Sequence, residues 1–163
     1  MPKHLEIERK FLLKRLPKGW KHCKSSQIFQ GYFPMASKGL EIRLRQKGSR
    51  HFVTIKSGRG RQRVEEEVRI PEAMFRSLWP LTRGARIAKR RYNIPCNGNI
   101  IEMDVYQGPH RGLVTADIEF DSERQSRQFK KVEWLGREIT GRRRYANEAL
   151  ARCQRLPLKP KRI

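Results

Sequence analysis

The sequence predicts an α+β fold built on an antiparallel sheet or barrel. Three observations point there. Alternating apolar and polar residues, the signature of half-buried strands, recur in eight segments up to residue 121. Helical periodicity is confined to three short stretches, two of them after that point. No repeat or low-complexity linker divides the chain, so its 163 residues read as one domain over 1–156 followed by a basic tail, 157–163.

The strands come in this order. "HLEIERKFLL" (4–13) alternates Glu6, Glu8 and Lys10 with Leu5, Ile7 and Phe11. "QIFQGYFPM" (27–35) is ended by its proline. "LEIRLRQKG" (40–48) and "HFVTIKSG" (51–58) are joined by a short Gly-Ser turn, and "RQRVEEEVRI" (61–70) follows a glycine-broken link. "ARIAKRRYNI" (85–94), "NIIEMDVYQG" (99–108) and "LVTADIEFD" (113–121) complete the set. "PEAMFRSLWPL" (71–81) predicts a helix, with proline at a first-turn position. "DSERQSRQFKKV" (121–132) opens on a capping arrangement, and "RRRYANEALARCQRL" (142–156) sets Tyr145, Ala149, Leu150 and Cys153 along one side.

Composition excludes several classes. The 38 basic and 16 acidic side chains leave a net charge of +22, which attracts polyanions such as nucleic acid or polyphosphate. Cys23, Cys96 and Cys153 are odd in number and widely spaced, which argues against a disulfide framework or a zinc site and suits a reducing cytoplasm. The four histidines are equally scattered. No apolar run reaches membrane-spanning length, and the early charges leave no room for a signal peptide.

Scarce carboxylates are nevertheless placed side by side. Glu6 and Glu8, Glu65 and Glu67, Glu102 and Asp104, and Asp117 and Glu119 put eight of the sixteen acids into four i,i+2 pairs. Bases share the spacing at Arg43 and Arg45, Arg61 and Arg63, and Lys89 and Arg91. The opposite phase is apolar, including Ile42 and Leu44, Val64 and Val68, and Ile118 and Phe120, so the charged phases share one side of the sheet. An open sheet would turn that side to water, and a closed one would make it a polar lumen. Carboxylates about 7 Å apart repel by roughly 2–3 kcal/mol at an effective dielectric near 20. Four such pairs call for cations among them. Oxygen-only clusters lacking His and Cys favour Mg²⁺ or Mn²⁺, and guanidinium rows suit phosphate oxygens.

The motif "EIERKF" (6–11) resembles the ExExK signature of the CYTH domain, the triphosphate tunnel metalloenzymes. The resemblance continues through "QGYF" (30–33), "IRLRQKG" (42–48), "TIKSG" (54–58), "RVEEEVRI" (63–70), "AKRRY" (88–92), "EMDVYQG" (102–108), "DIEF" (117–120) and "ITGRRRYAN" (139–147). It is strongest to the short bacterial tripolyphosphatases related to thiamine triphosphatase. It implies an eight-stranded antiparallel β-barrel with outer helices, a late helix near one mouth, and metal-dependent hydrolysis of tripolyphosphate or an organic triphosphate. By that resemblance Glu6, Glu8, Asp117 and Glu119, assisted by Asp104, would hold the metal. Lys10, Arg43, Arg45, Lys56, Arg91 and Arg144, with Arg63 and Lys89 of the basic rows, would bind triphosphate. Lys56 and Tyr32 would form a catalytic pair, with Glu65 or Glu67 orienting water. Two positions depart from the pattern: Ala88 and Arg142 stand where the family carries acids.

Two other readings remain. A class IV adenylate cyclase would use the same tunnel as a lyase on ATP, releasing cyclic AMP instead of phosphate. A non-catalytic polyanion-binding module would need the bases, but not eight aligned carboxylates. Bases crowding 83–91, 141–144 and the tail 158–163 cannot all face a lumen. The remainder would attract RNA or long polyphosphate nonspecifically, although the tail would equally serve as a solubilising end.

Overall fold

The structure is a computed structural model that describes residues 7–34, 39–59 and 62–153, without the side chains at 58, 59 and 62–64. Nine strands form one antiparallel sheet: β1 (Ile7–Leu13), β2 (Ser25–Tyr32), β3 (Leu40–Lys47), β4 (Arg50–Arg59), β5 (Gln62–Ile70), β6 (Arg86–Cys96), β7 (Asn99–Tyr106), β8 (Val114–Phe120) and β9 (Leu135–Glu138). Their order is β5-β4-β3-β2-β6-β7-β8-β1-β9. The α+β class and all eight expected strands are present. The ninth, "LGRE", is too short for alternation to reveal.

That ninth strand bears on closure. Phe11 and Leu13 of β1 pair with Glu138 and Leu135 of β9, so the free edge of β1 is occupied. Among the described residues β5 and β9 are the sheet's two edges, and the expected eight-stranded closed ladder is not formed. The sheet still curls. β4 and β1 are six strand spacings apart, which in a flat sheet is roughly 29 Å at about 4.8 Å each. Yet the Lys56 ammonium on β4 still pulls against the burial-driven rise in the Glu8 pKa on β1, an effect that water and salt would quench over such a distance.

Registers separate the faces. Glu8 and Lys10, Arg43 and Arg45, Thr54 and Lys56, Glu65 and Glu67, Lys89 and Arg91, Glu102 and Asp104, and Asp117 and Glu119 share the inner side. On the outer side Phe11, Leu13, Ile94, Ile101, Met103, Ile118 and Phe120 form a core. It is covered by the segment after α2 (Glu123–Gln128), where Phe129 meets Phe120 edge-on at 5.5 Å. The α1 helix (Glu72–Leu78) seats Phe75 over Leu44 and Ile70, stacked on Trp79 at 5.0 Å. Gly31 permits the next 3₁₀ turn (Trp79–Thr82) to approach: a Cβ there would lie 2.4 Å from Thr82 Oγ1.

The three expected helices are present but shorter. The last is broken into a 3₁₀ turn (Arg143–Tyr145) and α3 (Asn147–Arg152), with Ala146 extended between them. Arg142, Arg143 and Arg144 would oppose the helix dipole in a first turn, whereas Glu148 at the start of α3 suits it. Leu150 and Ala151 of α3 pack with Tyr32, Ile87 and Tyr106, which places this helix at one end of the inner face.

Candidate active site

Four strands bring the acids and bases of one half of the inner face together. Lys89 and Asp104, both 0% exposed, pair at 2.6 Å. Arg91 grips Asp104 in two places, Nε to Oδ1 at 2.7 Å and Nη2 to Oδ2 at 2.8 Å, and also reaches Glu102. Lys10 Nζ lies 3.0 Å from Asp117 Oδ1, at an angle that makes no hydrogen bond, and donates to Oδ2 at 3.3 Å. Burial would raise the Asp104 pKa, but Lys89 and Arg91 hold it well below the usual carboxylate range. Burial pushes the Lys89 ammonium down to about 8, with Arg91 and Lys10 adding to the fall. Burial would likewise lower Lys10, yet Asp117, Glu8 and Asp104 raise it well above an ordinary lysine.

The other half is arginine-rich. Glu67 accepts a 2.7 Å bond from the Thr54 hydroxyl and lies 3.3 Å from Arg43 Nη2 and 3.5 Å from Arg45 Nη1. Burial alone would raise its pKa, but Thr54, Arg45 and Arg43 hold it low. Burial and the neighbouring Arg43 depress the Arg45 guanidinium. Lys56 Nζ sits 2.7 Å from Glu65. The Nε atoms of Arg43 and Arg45 are buried without a hydrogen-bond acceptor, so these guanidiniums have donor capacity to spare.

Several expected residues stand differently. Lys89 is sealed beneath the face between Asp104 and Asn147, paired with the same carboxylate that Arg91 grips. Asp104 has both oxygens engaged by Lys89 and Arg91. Arg144 is exposed on its 3₁₀ turn, with its guanidinium over the Tyr145 ring at 5.2 Å, and not on the strand face. Tyr32 is 2% exposed and accepts a bond from Gln30 Nε2 at 3.0 Å. Lys56 is bound instead to Glu65, and β3 runs between their two strands. Burial lifts the Tyr32 phenol to about 12, which keeps its proton on. Glu6 lies outside the described residues, and so does the Arg63 side chain.

The acidic corner tests the expected cation. Glu8 reaches solvent, yet its carboxyl is crowded by protein. Burial and the anions of Asp117 and Glu119 raise its pKa against the pull of Lys10 and Lys56. Glu8 and Glu119 are register partners, as are Lys10 and Asp117. Among the described residues no three carboxylates converge into a metal cage. The donor chemistry nevertheless fits a hard cation: oxygen only, excess negative charge, and a buried Asp117 Oδ1 with no hydrogen-bond donor.

The sequence missed two inner residues. Thr54, fully buried, bridges Arg43 and Glu67, accepting from Arg43 Nη2 at 3.0 Å. It lies in phase with Lys56, and alternation alone could have marked it. Asn147 Oδ1 accepts from the Tyr106 hydroxyl at 2.7 Å and from Lys89 at 3.3 Å. Nothing in its local pattern sets it apart from the helix that follows.

Comparison with known proteins gives a consistent result. The profile of the CYTH domain matches residues 4–152. The inorganic triphosphatase of Nitrosomonas europaea is 40% identical over 148 residues, spanning 90% of this chain and 96% of that protein. The inorganic triphosphatase of Acetivibrio thermocellus is 31% identical over 149 residues, spanning 90% and 93%. A crystal structure of an inorganic triphosphatase aligns with a TM-score of 0.72 at 38% identity, covering 91% of this chain and 95% of that one.

Proposed function

The chain belongs to the CYTH domain family, and from that premise we propose that it is a metal-dependent enzyme hydrolysing inorganic tripolyphosphate on its inner strand face. The observation that carries this reading is the curled face itself, where Lys10, Arg43, Arg45, Lys56 and Arg91 stand among carboxylates, the charges together occupying seven of eight successive strands. Relatives similar over nearly their whole length are named inorganic triphosphatases. A face with both signs suits a polyphosphate arriving with a cation, whereas simple anion binding would be hindered by the acids.

The residues divide by position. Arg43 and Arg45, with spare donors, take up phosphate oxygens and release Glu67 as they do so. Arg91, fixed by Asp104, and Lys10 meet the ligand from the opposite wall. Lys56 neutralises the phosphate at its end of the face, and Glu65 beside it orients the attacking water. The water oxygen bonds to a terminal phosphorus to give orthophosphate, the P–O–P bond breaks, and pyrophosphate departs, with the water's proton passing to the leaving oxygen or to solvent. The protonated Tyr32 phenol is a hydrogen-bond donor and not a base at neutral pH. A Mg²⁺ or Mn²⁺ ion held by Glu8, Asp117 and Glu119, with Glu6, would neutralise charge on the phosphate oxygens.

The test is phosphate release from tripolyphosphate with Mg²⁺ or Mn²⁺, beside ATP, thiamine triphosphate and an EDTA control. Release of orthophosphate from tripolyphosphate, abolished by EDTA, is expected. Full activity in EDTA would remove the metal from the proposal, and cyclic AMP from ATP would replace the hydrolase with a lyase.

A further inference from the structure

Outside the inner face, the surface charge is unevenly distributed. No Asp or Glu occurs in residues 9–40, 42–64 or 73–101. The fold brings parts of all three stretches to one corner. The 3₁₀ turn Trp20–His22 rests on β6, with Trp20 edge-on to Tyr92 at 4.7 Å. Asn93 N donates to Lys24 O at 2.9 Å, and Gln27 pairs in register with Arg90. The β3–β4 hairpin joins them where Gly48 N donates to Gln27 O at 2.9 Å. Lys18, Lys21, Lys24, Arg50 and Arg90 are exposed on this corner.

Acids elsewhere do not offset it. Glu72, Glu123 and Glu148 are paired along their own helices with Arg76, Arg127 and Arg152. Glu133 and Glu138 hold Arg15 and Arg9. The corner also carries aromatic surface: Phe29, 39% exposed, follows Gln27 on the outer phase of β2, and Trp20 is half-buried with Lys21 Nζ at 5.7 Å from its ring.

We infer that this corner, formed by the β1–β2 connection, outer β2 and β6, and the β3–β4 hairpin, is a docking surface for single-stranded nucleic acid. Five exposed cations would contact the phosphate backbone, which carries no sequence information, so recognition is independent of sequence. Phe29 and the exposed part of Trp20 favour nucleic acid over a bare phosphate polymer, because bases present π-faces and inorganic polyphosphate has none. The surface lies opposite the hydrolytic face, so it serves a different ligand from the one proposed there.

A labelled single-stranded RNA of mixed sequence, titrated with the full chain, tests it. With about five phosphate contacts, raising salt from about 50 to 200 mM should weaken binding roughly 100-fold. The combined change Lys21→Glu, Lys24→Glu and Arg90→Glu should weaken it at least about 10-fold at low salt, and Lys21→Glu alone measurably. Phe29→Ala should weaken RNA binding about 5-fold and leave binding of long inorganic polyphosphate unchanged. Thermal melts check that each variant is folded. Absence of RNA binding at low salt, salt-indifferent binding, or undiminished binding by the triple variant overturns the inference. So does polyphosphate binding as tightly as RNA with neither responding to Phe29→Ala, which would make the corner a general polyanion surface.

Discussion

Removing Asp104 should damage the protein far more than removing Lys89, although the two form one buried pair. Asp104→Asn leaves the Lys89 ammonium fully buried without its anion, facing only amide oxygens such as Asn147 Oδ1 at 3.3 Å. Stripping the partner from a buried charge typically loses about 3–5 kcal/mol. Lys89→Met removes the charge and keeps most of the volume. Asp104 then retains two bonds from Arg91, at 2.7 and 2.8 Å, and the loss should be only about 1–2 kcal/mol. At about 2–4 °C per kcal/mol for a chain of this size, the melting midpoint should fall roughly 6–20 °C for Asp104→Asn and 2–8 °C for Lys89→Met.

The double variant should be less destabilised than the sum of the two, because the lysine that Asp104→Asn strands is gone. Urea unfolding with all four chains gives the cycle. The same variants separate support from ligand contact: Lys89→Met should leave the tripolyphosphate KM within about 3-fold of the parent. Equal destabilisation by the two single changes would refute the claim that Arg91 sustains Asp104. A tenfold rise in KM for Lys89→Met would refute the claim that Lys89 is sealed from the ligand.

Arg45→Ala should raise KM for tripolyphosphate at least about 10-fold with a smaller change in kcat, as steady-state kinetics would show, since its guanidinium binds ground state and transition state alike. Glu119→Gln should abolish turnover and leave the thermal midpoint within about 2 °C, because it removes one hard oxygen from the cation corner. Tyr32→Phe should lower kcat with little effect on KM. With its phenol lifted to about 12, the parent's pH–rate profile should show no alkaline limb from Tyr32 below about pH 11. Gly31→Ala should lower the melting midpoint by several degrees, because the new methyl would sit 2.4 Å from Thr82 Oγ1 and 2.8 Å from Trp79 Cζ3.

The inner face was legible because strand alternation has period two, so i,i+2 charges must share a side whichever strands pair. Register was less legible. No local pattern shows that β2, besides its hairpin partner β3, pairs with the distant β6, or that Lys89 falls opposite Tyr106 and next to Asp104. Burial depth was therefore hidden as well: Lys89 and Arg91 look alike in "AKRRY", yet one is sealed and the other partly open. β9 escaped notice for a different reason. Its four residues are held by β1, and Gly136 passes so close that a Cβ would meet Leu12 O at 2.7 Å. The break at Ala146 reflects competition between helix propensity and three arginines facing a helix N-terminus, which periodicity ignores.

Charge pairing within the face also bears on which ligands it can take. Glu67 already satisfies Arg43 and Arg45 in part, Glu65 satisfies Lys56, and Asp117 satisfies Lys10. Beyond the spare donors of Arg43 and Arg45, an anion must therefore compete with a carboxylate for these cations, and a single phosphate group would meet few of them. On the proposed function, a chain of linked phosphates would engage β3, β4, β6 and β1 at once, so its contacts would add while the resident carboxylates gave way singly. Selectivity for several linked phosphates follows from that competition. On the same reading, the acids beside the bases would hold the guanidiniums in place between turnovers and favour release of short products.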